Sequence, residues 1–116
     1  MTIARAVPNL SADRPAETRD FFVKLLGFEV AMDLDWVVTV SSPDNPAVQV
    51  NIISNDDPAA PGISVEVDDV DAVHTRAVER GLKIAYRLRD EDWGVRRFML
   101  REPGGATVNV LSHRGQ

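Results

Sequence analysis

The chain contains no cysteine. That excludes disulfides, thiolate metal centres and thiol nucleophiles, and it fits a reducing, cytoplasmic setting. Long apolar runs are also missing. Nothing approaches the roughly 20 residues that a membrane helix needs. The opening Met1-Thr2-Ile3-Ala4-Arg5 lacks the apolar stretch of a secretory leader, so neither membrane association nor export is expected. Basic charge is in short supply. Thirteen Lys and Arg face 18 Asp and Glu, and a net charge of −5 argues against nucleic-acid binding, which needs basic patches to displace counterions. No glycine-rich phosphate cradle is present, because Gly104-Gly105 reads as a hairpin turn. A hydrolase triad is not identifiable either. Ser112 and His113 are neighbours on an expected strand and would face opposite sides.

What remains is an ordinary globular composition, 44% hydrophobic and 27% charged, in 116 residues. This suits a single domain over 1–116 with one modest core. Residues 5–12 read as a strand, with Pro8 marking it as an edge or bulged one. Pro15 suits a first helical turn. Phe21, Phe22, Leu25 and Leu26 define one helix face, and Gly27 stops the helix. Strand-like runs follow over 28–32, 36–41 and 47–53, separated by turn-rich segments. A polar, proline-rich linker spans 55–61, dividing module one, about 4–54, from module two, about 62–113.

The order then repeats. Residues 63–67 alternate as a strand, and Asp69 can cap a helix with apolar positions Val70, Val73, Ala77 and Val78. Gly81 ends that helix. Strands are expected over 82–86, 95–101 and 106–111. Residues repeat as well as pattern: Pro43 matches Pro103, and Val48-Gln49-Val50 matches Val108-Asn109-Val110. Duplication of a βαβββ module accounts for both. In the last strand of each half, the valines share one face, while Gln49 and Asn51, or Thr107 and Asn109, share the other. From the residues alone, these polar groups face either a cavity or solvent.

Several segments carry a family resemblance. Phe21-Phe22 with Leu26-Gly27-Phe28, the run from Val65-Glu66-Val67-Asp68-Asp69 to Val70-Asp71, and Trp93-Gly94-Val95-Arg96-Arg97-Phe98 followed by Glu102-Pro103-Gly104-Gly105 occur in order across nearly the whole chain. Together they resemble the vicinal-oxygen-chelate superfamily of glyoxalases, bleomycin-resistance proteins and extradiol dioxygenases. The resemblance implies an α+β fold. Its two βαβββ modules would form a cup-shaped mixed sheet, with helices on the outer face and ligand in the cup. It also implies a homodimer.

Metal-dependent members of that family place His or Gln, Glu, His and Glu on the first and last strands of the two modules. Carried across, these positions fall on Val7, Gln49, Gly62 and Asn109. Valine and glycine supply no side-chain donor, and neutral amides are weak ligands for a divalent cation. The only histidines lie elsewhere: His74 within the second helix, expected to be exposed, and His113 after the last strand, expected in the tail. No metal and no other cofactor is expected.

The candidate ligand-binding residues are Asn9, Trp36, Gln49, Asn51, Ser64, Trp93 and Asn109. The two tryptophans could stack on a planar or cationic ligand, or simply pack at strand ends. Arg96 and Arg97 should face opposite sides of their strand. One could meet an anionic ligand or pair with the nearby acidic run. The expected function is metal-free binding of a small molecule, such as an antibiotic, by sequestration. The alternative is a lyase, isomerase or dioxygenase of this family with an atypical metal site.

Overall fold

A computed structural model describes residues 2–54 and 61–114. All of the expected linker except Pro61 therefore lies outside the described residues. The element order is β1 (Ile3–Ala12), α1 (Pro15–Leu26), β2 (Glu29–Asp33), β3 (Val37–Ser41), β4 (Gln49–Ser54), β5 (Ile63–Val67), α2 (Val70–Glu79), β6 (Ile84–Asp90), β7 (Val95–Arg101) and β8 (Thr107–His113). This is the expected α+β arrangement of two βαβββ modules. None of the described helices is long and apolar enough to cross a membrane.

The chain forms two compact units. One runs from Val7 through β4; the other joins the first residues of β1 to the C-terminal half. In the first unit the strand order is β2-β3-β4-β1, and in the second β6-β7-β8-β5. β1 with β4 and β5 with β8 are parallel pairs, and β2 with β3, β3 with β4, β6 with β7 and β7 with β8 are antiparallel. Identical strand order in both halves is the duplication expressed as topology.

β1 corrects the expectation of an edge strand. It has hydrogen-bonded neighbours on both sides, β4 and β5. Its start belongs with module two, where the Asp68 amide donates to the Thr2 carbonyl at 3.1 Å. Its end belongs with module one, where the parallel register begins at Asn9 opposite Asn51. Pro8 lies just before that register starts, at the change of unit, so its missing N–H falls where the pairing changes rather than inside a ladder.

α1 opens on Pro15 and closes on Gly27 in the left-handed region (φ 79°). There the Gly27 amide reaches the Val23 carbonyl and the Phe28 amide the Phe22 carbonyl, both at 3.2 Å. The helix docks through Phe22 and Val23 against Ala12, Val38, Val40 and Ile52. Phe21, Leu25 and Leu26, which share one helix face with Phe22, are exposed, so the contact lies to one side of the apolar stripe. α2 is capped as expected, with the Asp69 carboxylate accepting from the Ala72 amide at 3.1 Å. Removing that acceptor by Asp69→Ala is expected to cost about 1 kcal/mol in a thermal or urea melt, with Asp69→Asn close to neutral.

Val70 and Ala77 bury against Val67, Phe98 and Val110, with Val65, Val73, Leu100 and Val108 packed around them. Strand alternation thus holds in both modules: Val50 and Ile52 face α1, and Val108 and Val110 face α2. Each sheet half is left with a helix-free face, and Asn9, Asn51, Ser64 and Asn109 sit there.

Candidate functional site

In module one the helix-free face carries a chain of polar side chains. β-pairing sets Asn9, Asn51 and Thr39 side by side across β1, β4 and β3. The Thr39 hydroxyl donates to Asn51 Oδ1 at 2.6 Å, and Asn51 Nδ2 donates to Asn9 Oδ1 at 2.9 Å. Asn9 and Thr39 are buried. Gln49 departs from this group. Its Nε2 donates to the Pro46 carbonyl at 2.8 Å, in the turn before β4. Trp36, just before β3, is about half exposed.

In module two the same face is built in rows. β5 and β8 are parallel with Ser64 beside Asn109, and β7 sets Met99 on the other side of Asn109. Asn109 Nδ2 donates to Ser64 Oγ at 3.0 Å. Asn109 is buried, yet among the described residues its Oδ1 has no hydrogen-bond partner. A buried acceptor of this kind forfeits a hydrogen bond it would otherwise make. One row along, Glu66 and Arg97 flank Leu111. Glu66 Oε1 accepts from Arg5 Nε at 2.6 Å, and its Oε2 lies 2.8 Å from His113 Nδ1. Burial pushes the Glu66 carboxyl upward, but the hydrogen bonds and charges of His113 and Arg5 outweigh this and hold it below 4.5.

The densest group lies at the β6–β7 end. Glu91 is buried and accepts from the Tyr86 hydroxyl and from Arg97 Nε, both at 2.6 Å, with Arg89 Nε at 3.0 Å from its other oxygen. The Arg97 guanidinium lies 5.0 Å from the ring centroids of both Tyr86 and Trp93. Arg96 faces the other way, bound to Asp71 of α2 and to Asp90, as the alternation required.

The structure thus groups Asn9 with Asn51 and Ser64 with Asn109, and it places Trp93 against Arg97. It sends Gln49 to a turn. Thr39, Glu91 and Arg5 also build these faces and were not singled out from sequence, whereas Tyr86 is placed by the sequence near a strand end where a cup would open. Thr39 follows from the period of β3; Glu91 gave no signal beyond lying in an acidic run. His113 is not a tail residue but the end of β8, bonded to Glu66. His74 is not simply exposed either, since its ring packs edge-on to the buried Phe98 at 5.0 Å.

The metal of the family's enzymes does not fit these residues. Val7 is buried and apolar, and Gly62 has no side chain. Gln49 and Asn109 are neutral amides, and among the described residues no three His, Asp or Glu side chains converge. Glu66 and His113 do meet, but Arg5 already holds the carboxylate.

Two duplicated βαβββ modules, each with a helix on one sheet face and polar side chains on the other, define the class. The chain belongs to the glyoxalase/bleomycin resistance protein/dioxygenase superfamily, whose family model matches residues 2–110. Among solved structures it is similar to a member of that superfamily from Vibrio splendidus 12B01, at 24% identity over 96% of this chain and 99% of that one, with a TM-score of 0.73. It is also similar to a variant of Streptomyces coelicolor methylmalonyl-CoA epimerase in complex with 2-nitronate-propionyl-CoA, at 16% identity over 98% and 100% of the two chains, TM-score 0.72. At these identities the likeness is one of fold. No curated protein matches the chain significantly.

Proposed function

We propose that the protein binds a small molecule without a metal and acts by sequestering it, as a cytoplasmic homodimer. The observation that carries this reading is the chemistry of the helix-free faces. Amides, hydroxyls, aromatic rings and carboxylates already paired with Arg5, Arg89 and Arg97 line them, and the four positions that hold metal in the family's enzymes offer two amides, a valine and a glycine. Such groups can orient a ligand by hydrogen bonding and stacking, but they give a divalent cation too little charge to offset its dehydration. No observation favours the alternative of a lyase, isomerase or dioxygenase over this reading.

Metal content tests it directly. Tag-free protein is expected to carry no stoichiometric Zn, Ni, Mn or Fe by elemental analysis. Added metal should leave the melting temperature unchanged, whereas a site filled at about 100 times its Kd would add roughly 2.7 kcal/mol of stability. A stoichiometric metal lost from Gln49→Ala and Asn109→Ala variants would overturn the reading. Light scattering checks the dimer.

A further inference from the structure

Resting on the homodimer within that reading, we infer that two copies of the chain meet through the outer face of α1, packed antiparallel about a two-fold axis. The duplication supplies the comparison that carries this. Gly27 and Gly81 close α1 and α2, both in the left-handed region (φ 79° and 68°), and they set the two helices in register. In that register Val23 matches Ala77, and each packs on its own sheet. Phe21, Leu25 and Leu26 then match Thr75, Glu79 and Arg80, and all six are exposed. α2 therefore carries polar residues where it meets water. α1 carries three large apolar ones in the same places, 53%, 68% and 55% exposed. A duplicated helix that keeps its inner contact and turns its outer face apolar has a second surface to meet.

The apolar residues are continuous. Phe21 and Leu25 lie one turn apart, and Leu10 of β1 lines an open groove with Phe21. The four expose on the order of 400 Å² of apolar surface, about half of the roughly 800 Å² that each partner gives to a standard interface. Polar residues at the margin can supply the remainder, as in a typical interface rim.

The charges at that margin point to a second copy as the occupant. Glu17 and Lys24 are seven residues apart, so they share one side of α1, about 10 Å apart along the axis, with Phe21 between them. Both are exposed. Their ion pairs within the chain, Glu17 to Arg14 at 3.0 Å and Lys24 to Asp20 at 4.0 Å, are surface contacts of little energy. An acid toward the N-terminus and a base toward the C-terminus make a helix face that complements itself only when the copy runs antiparallel. Glu17 then lies beside the partner's Lys24, and Lys24 beside the partner's Glu17. That is an isologous, closed interface, in which every contact occurs twice.

Sedimentation velocity of the full chain over a range of concentrations is the test. The wild type is expected to be a dimer at about 100 µM, well above the Kd of a stable one. Phe21→Thr, Leu25→Glu and Leu26→Arg combined copy onto α1 what α2 already carries. This variant is expected to melt as a folded monomer, its dimer weakened at least about 100-fold. Glu17→Lys and Lys24→Glu should each weaken the dimer about tenfold, because two like-charge contacts replace two opposite ones. Mixing these two variants should restore association, since each copy then meets the charge that its own kind lacks. No effect confined to one chain can produce that rescue. Melting curves identify a variant that fails to fold, and the mixing experiment stands without the triple substitution. Mixed variants that associate no better than either alone, or a dimer that survives the triple substitution, would overturn the α1 interface and leave the homodimer intact. A wild-type chain that stays monomeric at about 100 µM would sink both and leave the face to a partner of other chemistry.

Discussion

Replacing Phe98 with alanine is expected to lower the unfolding free energy by about 4 kcal/mol. Phe98 is fully buried and is the largest such side chain in the described residues. It lies on β7 opposite Val110 of β8, and it packs in one cluster with Val67 of β5 and with Val70 and Ala77 of α2. The ring therefore joins the sheet of module two to its helix. Truncation removes its apolar contacts and leaves a cavity that rigid β-strands cannot close. A chain of this length holds roughly 6–17 kcal/mol in total, so the loss is a large fraction of its stability. Phe98→Leu, which keeps most of the volume, should lose much less. Urea titration with a constant slope is the measurement. A loss under about 1 kcal/mol for the alanine variant would show that the module-two core does not depend on this ring.

The features of the fold that could be read from sequence are those fixed locally. Gly27 ends α1 because a left-handed residue is needed there, and Asp69 caps α2 because its carboxylate can reach the Ala72 amide. The alternation of Val50 and Ile52, and of Val108 and Val110, identifies the helix-facing side without any tertiary information. Where reading failed, the deciding contact is distant. Pro8 suggests an edge only if its strand has one partner throughout, whereas β1 changes partner near that residue. β6 was expected over 82–86 and runs over Ile84–Asp90 instead. Leu82 closes the end of α2 by donating to the Ala77 carbonyl, and register shifts on either side of Tyr86 mask the period of two.

The site divides in the same way. Asn9 with Asn51, and Ser64 with Asn109, follow from strand period plus the parallel pairing that duplication implies. Glu66 and His113 are 47 residues apart, and nothing local announces their contact. Glu91 is harder still. In sequence it sits within Arg89-Asp90-Glu91-Asp92, a run that reads as a solvated turn. Its burial depends on Tyr86 and Arg89 from β6 and Arg97 from β7 arriving together to satisfy it.

Glu91→Gln is the second substitution expected to have a large effect, a loss of about 3 kcal/mol at neutral pH. The neutral amide cannot balance Arg97 and Arg89, and its NH2 group, a donor, would confront the donors it replaces as partners. Acid gives the distinguishing readout. Burial alone would raise the Glu91 carboxyl, but hydrogen bonds from Tyr86 and Arg97 and the charges of Arg97 and Arg89 hold it below 4.5. A carboxyl depressed in the folded state binds its proton more readily when unfolded. Its stabilisation is therefore complete above the unfolded value and is lost as pH falls through the folded one. The gap in stability between wild type and Glu91→Gln should be widest near neutrality and should narrow below pH 4.5. Glu66 and Glu102, also lowered, remain in both proteins and give both the same residual acid slope. Urea melts across pH would detect this, and a gap constant with pH would show that Glu91 acts through packing rather than charge.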